Sequence, residues 1–155
     1  MVERLSRFLR LTLASDPLAL VPLETEMELQ KLYLEIEQVR YPDLQLEVCL
    51  PAELRGAAVP ALILQPIIEN SIKHTVAAQV GPTRIRISAR AVEAELTLAV
   101  SDDGQSTRPA PGTGLGLKNV RERLQSHYGG QAALNAKRMA SGFRTTISLP
   151  LEVLP

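Results

Sequence analysis

Two stretches in the middle of the chain, TRIRISARA (83–91) and AELTLAVSD (94–102), alternate apolar and polar residues and are parted by two positions. A period of two suits a strand with one buried face, and does not suit a helix. So short a connection leaves room only for an antiparallel hairpin. LQLEVCL (44–50) alternates in the same way, and QAALNAKR and FRTTISLP (143–150) supply two further strands. Whatever else the chain does, it must carry a sheet built largely of hairpins, with a layer to cover the apolar face.

Helices supply that layer. Residues 2–14 read as an amphipathic helix with Leu5, Phe8, Leu9 and Thr12 on one side, stopped by Asp16-Pro17. A second helix over 23–40 follows Pro22, with Glu24, Glu26 and Glu28 at its positive end and Leu29, Leu32, Ile36 and Val39 as its core face. A third spans residues 60–78, with Pro66 as a kink early in its course. A fourth, LGLKNVRERLQSHYG, is ended by Gly129-Gly130. The fold class expected is α+β: a two-layer α/β sandwich, its sheet mixed but mainly antiparallel, with helices on one face.

Charge and composition remove several functions. The 17 basic and 17 acidic residues cancel, so bulk charge cannot drive nucleic-acid binding. Aromatics are 3% with no Trp, too few for base-stacking platforms. No run of 18 apolar residues exists that could span a membrane as a helix. Cys49 is the single cysteine, which excludes an internal disulfide, and its neighbours Val48 and Leu50 suggest a buried structural thiol.

Three stretches hold the polar chemistry. QPIIENSIKH (65–74) places Glu69, Asn70, Lys73 and His74 opposite Leu64, Ile68, Ile72 and Thr75 on a helical wheel. Alone, such a face reads as solvated surface. AVSDDG (99–104) ends a strand in two acids and a glycine, either a polar turn or a carboxylate aimed at an exocyclic amine, with Gly104 admitting a flat ring. GTGLGL (112–117) opens a helix, where free N–H groups suit phosphate. Its spacing is that of neither a Walker loop nor a dinucleotide fingerprint, and a flexible hinge is the plain alternative.

In this order, ENxxKH on a helix, DxG at a strand end and GxGxG at a helix start, the set resembles the ATP-binding (HATPase_c) domain of sensor histidine kinases. These belong to the GHKL superfamily with its Bergerat fold, shared with DNA gyrase and MutL. LQPIIENSIKH (64–74), GTGLGLKNVRERL (112–124) and TTISLP (145–150) are most similar to LytS/YehU-type kinases. Residues 21–43 resemble the segment between phosphoacceptor helix and ATPase domain, which divides the chain into a helical linker (1–43) and an ATP-binding domain (44–155).

The resemblance implies ATP and Mg²⁺ as ligands. Asn70 would hold Mg²⁺, Glu69 would orient or deprotonate the attacking group, Lys73 would touch phosphate and His74 the nucleotide. Asp102 would accept from the adenine amine beside Gly104. Gly112, Thr113, Gly114, Leu115, Gly116 and Leu117 would wrap the phosphates, with Lys118 nearby, and residues 104–113 would form the lid. Phosphoryl transfer needs positioning and charge neutralisation, which matches this donor set. Two departures stand out: Gln105, Ser106 and Thr107 where a second glycine is usual, and Phe143 where a threonine is common after Gly142.

The histidines His74 and His127 lie outside any acceptor motif. The implied protein is therefore a piece of a membrane-anchored sensor, on its cytoplasmic side. It would transfer phosphate to a histidine on an upstream helical domain, act as a homodimer and pass the group to a response regulator. Neither nucleic acid nor direct membrane contact is implied. The alternatives are a free-standing GHKL ATPase, a serine kinase of the anti-sigma type, or a non-catalytic module on the same fold.

Overall fold

The computed structural model describes residues 1–77, 81–104 and 115–154, the side chain of Leu115 excepted. In chain order the elements are α1 (Val2–Ala14), β1 (Leu20–Pro22), α2 (Leu23–Arg40), β2 (Leu44–Cys49), β3 (Ala58–Pro60) and α3 (Gln65–Ser71). They continue with β4 (Thr83–Val92), β5 (Glu95–Asp102), α4 (Leu115–Tyr128), β6 (Ala133–Met139) and β7 (Gly142–Pro150).

Five strands form one sheet in the order β2-β4-β5-β7-β6. The hairpins β4–β5 and β6–β7 are antiparallel, as their short connections require, and β2 adds parallel to β4. Alternate residues face one side: Ile85, Ile87 and Ala89 on β4, Leu96, Leu98 and Val100 on β5, Phe143, Ile147 and Leu149 on β7. They meet Leu23, Met27 and Leu34 of α2, Ile67 and Ile68 of α3, and Val120 and Leu124 of α4 in one core. The helices thus cover a single face. The other face carries Arg84, Arg86, Arg90 and Arg144, exposed.

Several expectations change. The third helix does not start at residue 60. Residues 58–60 instead form β3, which pairs antiparallel with β1 in a separate two-stranded sheet. The helix begins at Gln65, so Pro66 lies in its first turn and causes no interior kink. There its missing N–H is one the helix never uses. Beyond Ser71 the chain widens into a π-helical segment, Ile72–Val76, so the 100° wheel drawn through residues 72–78 does not hold. Pro66→Ala is expected to shift stability by less than about 1 kcal/mol, whereas removing an interior proline would stabilise by about 3 kcal/mol. Urea unfolding midpoints distinguish the two.

In α2, Leu29, Leu32 and Ile36 are buried as expected, but Val39 is 55% exposed. A second apolar side, Leu23, Met27 and Leu34, carries α2 into the main core. In α1, Phe8 and Thr12 are half-buried, Phe8 stacking at 5.4 Å on Tyr33 of α2. Leu5 and Leu9, expected on that same side, are exposed. Cys49 is half-buried rather than buried: Arg86 Nη2 donates to its Sγ over 3.6 Å. Its edge strand β2 has a partner on one side only, which keeps the thiol near solvent.

Candidate functional site

The end of β5 separates the two acids of AVSDDG. Asp102 continues the core-facing series Leu96, Leu98, Val100 and is 6% exposed on the helix-covered side. Its Oδ1 accepts from the Gly104 N–H at 3.3 Å, closing a tight turn. Asp103 points the other way. Its Oδ1 accepts from the Arg84 N–H at 2.7 Å and its own N–H donates to the Arg84 carbonyl at 3.3 Å, which prolongs the ladder past the strand end. So one carboxylate is an internal brace and the other is set under the helices.

The opening turn of α3 holds Gln65, whose Nε2 donates to Glu69 Oε1 at 3.0 Å across one turn. Glu69 and Lys73 are exposed, while Asn70 and His74 are half-buried. The Asn70 amide has no hydrogen bond to any described residue. A half-buried carboxamide that bonds to no described residue is suited to a ligand, since it offers both an acceptor oxygen and an NH₂ donor.

α3 packs against both β5 and the start of α4. Gly116 fits against Pro66, where a Cβ would sit 3.5 Å from the proline Cβ. Leu117 is buried in the core and Lys118 is exposed. Glu69 and Asn70 thus lie on α3, Lys73 and His74 on its π-helical continuation, Asp102 and Gly104 at the end of β5, and Gly116, Leu117 and Lys118 at the start of α4, with α3 in contact with both β5 and α4. Gly112, Thr113 and Gly114, with the lid from 105 onward, fall outside the described residues, as does the Leu115 side chain. A separate hollow of about 350 Å³ is lined by Arg84, Arg86, Asp103, Ser141 and Arg144 beside the Asp102 backbone. It opens on the helix-free face and includes none of residues 69–74.

Residues 58–153 match the family model for the histidine kinase-, DNA gyrase B- and HSP90-like ATPases, and residues 1–45 match one for histidine kinases. The chain belongs to this ATPase family. It is 34% identical over 153 residues to the sensor histidine kinase BtsS of Escherichia coli (strain K12), with 97% of this chain and 27% of that protein covered. It is 29% identical over 165 residues to the sensor protein LytS of Staphylococcus saprophyticus, with 97% and 28% covered. The fold is that of the histidine kinase domain of the Erythrobacter litoralis blue-light activated histidine kinase. That match has a TM-score of 0.65 at 20% identity and covers 97% of this chain and 72% of that one. The chain thus spans about a quarter of the length of the curated relatives it matches. It is a LytS- and BtsS-like histidine kinase ATPase domain.

The sequence reading missed three supporting residues. Gly142 sits at φ 109°, and a Cβ there would overlap the Asp102 carbonyl oxygen and come within 2.8 Å of Asp103 Cα. It starts β7 just before Phe143, which stands opposite Asp102 in the β5–β7 register. The positive φ is invisible in sequence, though the SG dipeptide between two strand patterns marks the turn. Glu26 is not a surface charge at the positive end of α2 but 1% exposed. Burial holds its carboxyl above the ordinary range, against the N–H groups of Leu64 and Leu62 and the charge of Arg123. Arg123 on α4 is in turn shifted down by burial. A lone Glu at the third or fourth residue of a helix reads as dipole compensation, so nothing in the sequence distinguished it from Glu24 and Glu28.

Proposed function

We propose that this domain binds Mg-ATP between α3, the end of β5 and the start of α4, and donates the γ-phosphoryl group to a histidine outside residues 1–155. The observation that carries the reading is the placement of the Asn70 amide, which bonds to no described residue, and the buried Asp102 carboxylate on the contacting elements α3 and β5. Asp102 accepts from the exocyclic amine of adenine. Gly104, which has no side chain, admits a flat ring beside it. Glu69 orients the attacking imidazole, Lys73 neutralises phosphate charge, and His74 lines the same helix face. Gly112, Thr113, Gly114, Leu115, Gly116 and Leu117 present backbone N–H groups to the phosphates, with Lys118 at the helix start.

Mg²⁺ fits the donors present. A hard ion that retains waters and takes most of its ligands from phosphates needs few protein oxygens, and the Asn70 carboxamide oxygen is one. Among the described residues no cluster of three His, Cys, Asp or Glu could cage a metal. When bound, the ion neutralises charge on the phosphates; the chain supplies orientation and the adenine contact.

The acceptor is supplied from elsewhere, because His74 lies on the nucleotide-site helix and His127 closes α4. In this reading residues 1–43 link an acceptor domain to the ATPase domain of residues 44–155. The exposed Val2, Leu5, Leu9 and Leu13 of α1 support contact with such a helical domain, in a homodimer that serves a response regulator. Among the described residues no helix is long and apolar enough to cross a membrane, which accords with a domain on the cytoplasmic side of an anchored sensor. Phe143, an apolar ring where a hydroxyl is common, favours one second reading, a nucleotide-fold module without turnover.

Isothermal titration with a non-hydrolysable ATP analogue, with and without Mg²⁺, tests binding. Labelled ATP mixed with this chain and an acceptor-helix fragment tests transfer: phosphohistidine supports the kinase, and binding without transfer supports the second reading. Asp102→Ala is expected to lose about 1–3 kcal/mol of ATP-analogue affinity and most discrimination against GTP, since a ligand amine loses its acceptor. Unchanged affinity would remove Asp102 from the site.

A further inference from the structure

The connection into α3 carries a strained residue. Leu62 adopts φ 61°, a left-handed conformation that disfavours a branched side chain. The peptide joining Ala61 to Leu62 is gripped from both sides. Its carbonyl accepts from Arg123 Nη2 at 2.6 Å, and its N–H donates to Glu26 Oε2 at 2.9 Å. The other Glu26 oxygen accepts from the Leu64 N–H at 3.0 Å and lies 3.5 Å from Gln30 Nε2. Arg123 Nη2 also donates to the Pro17 carbonyl at 2.6 Å, and the Ala61 N–H donates to the Ala19 carbonyl at 3.0 Å. Segments from α2, α4 and the α1–β1 connection therefore converge on Ala61 and Leu62, just ahead of Gln65.

Stability alone does not call for this arrangement. Burying the Glu26 carboxylate carries a desolvation cost, and a glycine at 62 would adopt the turn without strain. Both costs fall on the segment that aims the Asn70 helix. Strain of this kind persists where the surroundings over-determine it, and it gathers at functional sites.

We propose that Glu26 and Arg123 are positioning residues: by clamping the Ala61–Leu62 peptide they fix the direction in which α3 enters the nucleotide site, and so relay the placement of residues 1–40 to Asn70. The inference rests on the nucleotide-site reading given above.

The test measures affinity of the full chain for a non-hydrolysable ATP analogue with Mg²⁺, well below the melting temperature. Glu26→Gln turns one acceptor oxygen into a donor, so only one of the two N–H groups keeps its partner. Affinity is expected to fall by about tenfold, the equivalent of one released backbone strain. Adding Leu62→Gly to that variant restores affinity to within about threefold of the starting chain, because glycine takes the turn unaided. Amide exchange should accelerate at Leu62, Leu64 and α3 while β4, β5 and β7 stay protected. A buried charge with a packing role alone predicts the opposite: exchange raised throughout and no rescue by glycine. If Glu26→Gln does not fold, Arg123→Met carries the same measurement from the half-exposed end of the clamp, with the same rescue expected. Unchanged affinity in a folded variant, or a loss that Leu62→Gly leaves in place, overturns the inference. A starting chain that binds no nucleotide overturns the functional reading first and this inference with it.

Discussion

Asn70→Ala should lower Mg²⁺-dependent affinity for an ATP analogue by at least about tenfold, some 1.4 kcal/mol or more, while melting no lower than the parent chain. The two halves of that result have separate causes. The Asn70 amide is half-buried on α3 and bonds to no described residue, so its removal breaks no hydrogen bond among the described residues. Alanine also has a helix propensity better by up to about 0.7 kcal/mol. Stability therefore stays level or rises. Binding falls because a hard oxygen aimed at the metal-bridged phosphates is gone and methyl cannot replace it. Titration with and without Mg²⁺ separates this from a general loss: the parent should show a large Mg²⁺ increment and the variant little. Lys73→Ala makes the contrast. Lys73 is exposed, so its contribution should shrink with added salt, whereas that of Asn70 should not. Equal Mg²⁺ increments in parent and Asn70→Ala would place the ion elsewhere.

How legible was this site in the sequence? The hairpin β4–β5 was plain, because a period of two over eight or more residues in each strand, with a connection of two residues, has one structural solution. The bounds of α2 were equally plain, since Pro22 starts it and Tyr41-Pro42 ends it. The strands β1 and β3 were not. Each has three residues, too few to show a period, and their pairing joins Leu20 to Pro60 across the whole of α2. That hidden pairing is why the third helix was drawn too early and Pro66 was misplaced within it. Asp102 was chosen over Asp103 on likeness to a family; the structure supplies the physical distinction, one acid buried under helices and the other spent on Arg84. Glu26 stayed hidden for a related reason. Its partners lie 36 and 38 residues away, and burial of a charge leaves no trace in local composition.

The largest expected loss of stability comes from a residue that touches no ligand. Gly142→Ala should destabilise the domain by about 3 kcal/mol or more, because a strained φ and a backbone overlap add. Glycine accepts φ 109° freely, whereas alanine does not. The new Cβ would also drive into the Asp102 carbonyl, and backbone on both sides leaves no flexible side chain to yield. For a chain of this length that corresponds to a fall of about 6–12 °C in Tm. The site should suffer with the fold. Relief of the overlap requires the end of β5 to move away from β7 at the Asp102–Phe143 pair, which carries the Asp102 carboxylate with it. Calorimetry and titration on one sample should therefore show reduced ATP-analogue affinity even at temperatures where the variant is fully folded. Gly130→Ala is the control: a Cβ there meets nothing within 4 Å, and its Tm should stay within about 2 °C of the parent. If Gly142→Ala melts with that control, the close approach of β7 to the Asp102 carbonyl is wrong, and with it the account of how one acid of AVSDDG is held under the helices while its neighbour faces solvent.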